Sequence, residues 1–110
     1  MSFDTRAFRQ ALGCFPTGVA VVTTSGPDAD HRGITVNSFT SVSLDPPLVL
    51  WCIDRKSDRF PAFTKARTYT ISLLGTTHEA VSSRLAKQGA HSLDGIDLIQ
   101  TRLGPPALAD

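Results

Sequence analysis

Residues 33–52 read GITVNSFTSVSLDPPLVLWC and tell more about this chain than any other part of it. Two strand-like runs, Gly33–Leu44 and Leu48–Ile53, meet at Asp45-Pro46-Pro47. Side chains along a strand alternate between faces with a period of two residues. One face of the first run then carries Ile34, Val36, Ser38, Thr40, Val42 and Leu44, and the other Thr35, Asn37, Phe39, Ser41 and Ser43. Small hydrogen-bonding groups around one aromatic ring suit a flat heteroaromatic ligand with a polyol phosphate tail. The same alternation also describes an ordinary half-buried strand whose hydroxyls face water. The second run is apolar almost throughout, the pattern of a central strand buried on both faces.

Working outward toward the N-terminus, Ser2 or Asp4 can cap a first helix with Phe8, Leu12 and Phe15 as its apolar stripe, and Gly13 and Pro16 end it. Val19–Thr24 is a β-branched run and reads as a strand. Ser25-Gly26-Pro27-Asp28 is a turn cluster, and the polar stretch through Arg32 completes a hairpin-like loop. Toward the C-terminus, Asp54-Arg55-Lys56-Ser57 leads into a short helix through Lys65, with Ser57 or Asp58 as N-cap and Pro61 in the first turn. Thr68–Leu74 alternates as a strand. Thr76-Thr77-His78-Glu79 has the form of a capping box, Thr76 as cap and Glu79 at N3, opening a helix with Val81 and Leu85 one turn apart. From Gly89 onward the pattern fades to loop.

Strands broken by short helices and joined by Pro- and Gly-rich turns predict a mainly β fold with peripheral helices, a small β-barrel. Neither a G-x-G-x-x-G nor a Walker lysine loop occurs, which argues against a Rossmann or P-loop nucleotide site. The 110 residues make one domain. A net charge of +1 without a basic run gives no nucleic-acid surface, and no apolar stretch approaches the ~20 residues of a membrane span. Cys14 and Cys52 lie far apart in apolar contexts and read as reduced core thiols of a cytoplasmic protein. His31, His78 and His91 share no metal-ligand spacing and read as surface histidines. No Ser-His-Asp order or paired carboxylates stand out for hydrolysis.

The order of residues adds a resemblance. Phe15-Pro16-Thr17-Gly18-Val19 leads into Ala20–Thr24, the Gly33–Pro47 segment follows, and Leu48–Ser57 precedes a helix. Asn37-Ser38-Phe39-Thr40-Ser41-Val42-Ser43 with Pro46-Pro47 is the specific part. Together these blocks, collinear from about residue 5 to residue 88, resemble the flavin reductase-like family. Those proteins are FMN-binding split barrels that include the small reductase components of two-component flavin monooxygenases. Members are usually longer, with further barrel strands in their later part. The strand-rich pattern here ends near Leu74, so the resemblance predicts a C-terminally truncated domain spanning residues 1–110. The family's late Gly-Asp-His motif, associated with the nicotinamide side of its site, does not occur in this sequence.

The resemblance implies FMN as cofactor, with FAD as the alternative, and NADH or NADPH as co-substrate. It places Val36, Asn37 and Ser38 along the flavin ring and ribityl chain, with Thr35 beside them and Ser43 in the same block. The loop of Asp54, Lys56 and Ser57 approaches the flavin tail, and Arg84 stands where related sequences have a residue near the phosphate. An independent expectation supports the phosphate site: a helix opening at Ser57 presents unpaired N–H groups behind Arg55 and Lys56. The implied function is an NAD(P)H:flavin reductase that supplies reduced flavin to a partner monooxygenase and acts as a homodimer. Two other readings stay open, a non-catalytic flavin-binding or storage module and a ligand-free structural dimer fragment of the same fold. NADH-driven reduction of added flavin separates the first from the second, and bound flavin colour the second from the third.

Overall fold

The computed structural model describes residues 4–13, 18–25 and 31–109. Its centre is strand β1, Ala20–Ser25, where the β-branched run predicts a strand. This strand pairs antiparallel with β2 (His31–Val36) on one side and β5 (Thr70–Leu73) on the other, giving a three-stranded sheet in the order β2-β1-β5. The register sets Val22 opposite both Ile34 and Ile71. Ala20 and Val22 therefore point with Ile34, Val36 and Ile71 into one core, which Phe39, Trp51, Ile53 and Phe63 complete. Val21 points to the opposite face, into a second core with Leu85, Leu93 and Leu108.

The helices at Phe60–Lys65 and Glu79–Leu85, the latter with the C-terminal segment, cover these two faces, while the first helix and the ribbon at residues 40–50 stand exposed. Helix α1 (Thr5–Gly13) is capped by Asp4, whose Oδ1 accepts from the backbone N–H groups of Arg6 at 2.9 Å and Ala7 at 3.2 Å. Ser2, Cys14, Phe15 and Pro16 and the turn at residues 26–28 lie outside the described residues. Strands β3 (Thr40–Leu44) and β4 (Pro47–Leu50) form a two-stranded ribbon that turns at Asp45-Pro46. Helix α2 spans Phe60–Lys65; a 3-10 turn at Thr76–His78 runs into α3, Glu79–Leu85. Among the described residues no helix is long and apolar enough to cross a membrane.

Several expectations need correction. The run Gly33–Leu44 is not one strand: it breaks at Asn37–Phe39, and its halves join different sheets. Phe39 turns into the core beside Trp51 and Ile53 instead of standing among the hydroxyls. The strand buried on both faces is β1, not Leu48–Ile53. β4 ends at Leu50 and is exposed along its length, while Trp51 packs edge-on against Phe63 and Tyr69 at centroid distances of 5.3 and 5.8 Å. An apolar run reports burial in whatever finally covers it, and among the described residues only β3 pairs with β4. Cys52 is exposed, so it is not a core thiol.

The stretch after Gly89 is also more ordered than its loop-like composition suggests. β6 (Leu98–Ile99) and β7 (Ala107–Leu108) pair antiparallel and lie under the second core. Two threonines hold them: buried Thr23 donates through Oγ1 to the Pro106 carbonyl at 2.5 Å, and half-buried Thr70 through Oγ1 to that of Pro105 at 2.7 Å. Nor is the capping box formed as expected. Thr76 sits inside the 3-10 turn, and the Gly75 N–H donates to His78 Nδ1 at 3.0 Å. His78 Nε2 also lies 2.9 Å from the Ala109 carbonyl oxygen, so this histidine is a half-buried tie and not a surface residue. His31, 2.9 Å from Ser25 Oγ through Nδ1, and His91 are likewise half-buried.

Gly33 allows α3 to approach the sheet. A Cβ there would lie 2.9 Å from Leu93 Cδ2 and 3.1 Å from Leu85 Cδ1. Both leucines are buried in the second core. Gly33→Ala is therefore expected to destabilise the fold by about 1–3 kcal/mol, the usual cost of overpacking, read as a lower urea midpoint at unchanged slope.

Candidate functional site

The break after β2 builds the site. Where the chain leaves Val36, residues Asn37 and Ser38 form one wall of a solvent-open cleft of about 390 Å³. Cys52–Asp54 and the turn through Arg59 form the second wall, and Ala86 and Gln88, just past α3, close one end. Of the candidate residues from the sequence, Thr35, Val36, Asn37, Ser38, Asp54, Lys56 and Ser57 all line this cleft. They come from segments some twenty residues apart, brought together by side-chain-to-backbone bonds. Ser38 Oγ accepts the Cys52 N–H at 2.9 Å, tying wall to wall.

Those bonds change what each residue offers. The Thr35 hydroxyl donates to the Ser82 carbonyl of α3 at 2.7 Å, so Thr35 faces the cleft with its backbone. The Ser38 hydroxyl is occupied by Cys52. Asn37 is exposed and has no side-chain hydrogen bond among the described residues, which leaves its amide free for a ligand. In the second wall, Asp54 Oδ1 accepts the Lys56 N–H at 2.9 Å, and the Asp54 carbonyl accepts the Ser57 N–H at the same distance.

Ser57 and Asp58 are not the helix cap. α2 begins at Phe60 with Arg59 at the N-cap position, and Ser57 Oγ instead accepts the Arg59 N–H at 3.1 Å inside the preceding turn. A helix of 6 residues begun this late supplies little dipole, so the expected helix-terminus attraction at Ser57 does not arise. The positive group is Arg59 itself, which sequence inspection passed over in favour of Arg55 and Lys56. Arg59 lines the cleft at 2% exposure. Its Nη1 donates to Asp58 Oδ1 at 3.2 Å, while Nε and Nη2 are sealed from water with no partner among the described residues. Nothing in Asp-Arg-Phe-Pro distinguishes a buried arginine from a surface one; only the fold around it does.

Ser43 and Arg84 stand apart from the cleft. Ser43 lies in the exposed β3–β4 ribbon opposite Leu48. Arg84 Nη2 donates to the Ser92 carbonyl at 2.6 Å and pins the segment after α3, because α3 turns that side of the helix toward residue 92. Ala86 and Gln88 reach the cleft in place of Arg84. Among the described residues no group of His, Cys, Asp or Glu could hold a metal ion.

Comparison with known proteins places this architecture. Residues 12–110 match the Flavin reductase like domain, and the chain belongs to that family. It is 47% identical over 94 residues to an FMN reductase (NADH) of Agrobacterium fabrum, covering 86% of this chain and 53% of that protein. It is 39% identical over 107 residues to the reductase subunit of a stachydrine N-demethylase from Rhizobium meliloti, covering 97% and 46%. The solved Streptomyces globisporus NADH:FAD oxidoreductase in complex with NAD and FAD fragments superposes with a TM-score of 0.87 at 37% identity, over 96% of this chain and 64% of that one. The fold is thus the split β-barrel type with peripheral helices, as the resemblance implied. The chain spans about half the length of the curated relatives it matches.

Ser57→Ala removes the acceptor that holds the Arg59 N–H. The expected result is a loss of about 0.5–1.5 kcal/mol in unfolding free energy, measured by denaturant titration.

Proposed function

We propose that this chain binds flavin mononucleotide in the cleft between the end of β2 and the 52–59 turn, as the flavin-binding part of an NADH-dependent flavin reductase. The buried Arg59 edge carries this reading. A buried guanidinium with two unpaired donors is costly unless an acceptor meets it. Nε and Nη2 form one edge of the guanidinium fork, the pair from which two oxygens of a phosphate accept together. The FMN phosphate is such an acceptor, and the Lys56 ammonium adds a positive donor beside it. At the other end, the irregular backbone of Val36–Ser38 offers N–H and C=O groups, and Asn37 its free amide, to the polar edge of a flat ring.

When bound, flavin supplies the redox chemistry, accepting a hydride from reduced nicotinamide and passing electrons on to a partner monooxygenase. The chain's own residues bind and orient, and none of those lining the cleft is required as an acid or base. NADH as reductant and a monooxygenase as acceptor are supported by the names of two relatives, an FMN reductase (NADH) and the reductase subunit of a flavin-dependent monooxygenase from Rhodococcus jostii. A free, exposed Cys52 thiol beside the cleft suits a reducing compartment such as the cytoplasm.

Homodimerisation belongs to the same proposal. Val42, Leu44, Leu48, Val49 and Leu50 are all exposed on the β3–β4 ribbon, with Leu44 at 95%. A contiguous apolar ribbon of this kind is a recognised mark of an interface. Sedimentation at micromolar concentration is expected to give twice the chain mass; a monomer with the fold intact argues against the dimer.

Arg59→Met keeps the bulk and removes the charge and donors. Charge-assisted bonds are worth roughly 1.5–3 kcal/mol and ~1.4 kcal/mol is a decade in affinity, so FMN affinity should fall about tenfold or more. Riboflavin, which has no phosphate, should bind as it does to the parent. Fluorescence titration of both flavins checks this, and an unchanged FMN titration would place the phosphate elsewhere.

A further inference from the structure

Asp58 stands next to Arg59 yet is not part of the cleft lining. Its two carboxylate oxygens reach in different directions. Oδ1 accepts from Arg59 Nη1 at 3.2 Å, and Oδ2 accepts the backbone N–H of Gly89 at 2.9 Å. Gly89 adopts φ +82°, a left-handed conformation suited to glycine, at the end of the turn that carries Ala86 and Gln88 into the cleft. One half-buried carboxylate thus links the buried guanidinium to the far wall of the site.

An acidic group beside an anion site works against the anion, because like charges repel at this range. Its presence needs a different reason, and the geometry supplies one. Asp58 holds the Nη1 corner of the guanidinium, which leaves the Nε–Nη2 edge as the unpartnered one. Without Asp58 a buried charge would lose its described partner, and the flexible arginine would move its head toward water. The Gly89 bond would be lost in the same event, releasing the end wall.

Resting on the flavin reading above, the geometry points to Asp58 as a positioning residue that presents the free edge of Arg59 to the flavin phosphate and ties the 86–89 wall to it. Asp58 touches neither ring nor phosphate. It sets the preference of the cleft for a phosphorylated flavin over riboflavin, and it does so through Arg59.

The test is fluorescence titration of FMN and of riboflavin against the parent chain, D58A, D58N, R59M and the D58A/R59M double variant, each checked by thermal unfolding. D58A should lose tenfold or more in FMN affinity while riboflavin binds as before. In the R59M background D58A should cost no further FMN affinity, since the residue it positions is already gone. D58N, whose single carbonyl oxygen can serve Gly89 or Arg59 but whose amide N–H groups repel the other donor, should fall between parent and D58A. It carries the test if D58A does not fold. Equal losses for FMN and riboflavin in the Asp58 variants would overturn the proposal, because a merely structural role moves both. So would a gain in FMN affinity, the sign expected of simple repulsion, or additive losses in the double variant. If R59M itself leaves the FMN preference intact, the phosphate reading fails first and this one with it. If R59M loses FMN and the Asp58 variants do not, only the positioning role falls.

Discussion

Burial of β1 on both faces is the constraint from which the other elements take their places. A strand with Ala20 and Val22 on one side and Val21 on the other must be covered twice. One cover is Phe63 of α2 with Trp51 and Phe39, and the other is α3 with the β6–β7 pair. Because β2 is tied to β1 by six register positions, its end at Val36 is fixed in space. The chain can leave the sheet there only at the edge of the first core, and the cleft lies at that exit. The hydroxyls of Thr23 and Thr70 do for the polar backbone of Pro105 and Pro106 what the aliphatic side chains do for the core. They satisfy carbonyls of buried prolines, that of Pro105 together with the Thr101 hydroxyl, and an unmet carbonyl there is costly in a dry interior.

Polar side chains around the cleft divide between building it and serving it. Thr35, Ser38, Asp54 and Ser57 are each engaged by a backbone group within the protein. The Ser38–Cys52 bond joins the two walls and the others brace each wall, and preorganisation of this kind lowers the ordering cost of binding. Asn37, the Lys56 ammonium and the Nε–Nη2 edge of Arg59 are the groups left for something else. A site made mostly of backbone suits a cofactor that brings its own reactivity and asks the protein for position and electrostatics.

Part of the hydroxyl-rich segment 33–43 lines the cleft, but through different groups than the residues suggested. Its Thr and Ser side chains read as ligand contacts, but those of Thr35 and Ser38 turn out to be stitches. Ser43 shares the motif without sharing the site, since the break at Asn37–Phe39 sends it into another sheet. Arg84 fails as a cleft residue because helix rotation aims it at Ser92, and a neighbouring small residue, Ala86, takes the lining position.

Local chemistry written into the chain was enough for the elements that depend on neighbours in sequence. Asp4 as a cap, the β-branched strand at Ala20–Ser25, the alternating strand at Thr70–Leu73, the turn at Asp45-Pro46, Pro61 in the first turn of α2, and Val81 with Leu85 on the inner side of α3 all follow from short-range rules. The order of motif residues further carried the family. Only the tertiary structure decided which strand is central, that the apolar β4 lies exposed, that residues 98–108 pair as strands, and that Arg59 rather than Lys56 is the buried cation. The physical reason is the same in each case. Burial and hydrogen-bond satisfaction are properties of contacts between segments tens of residues apart, and a one-dimensional pattern states a residue's chemistry without stating what will cover it.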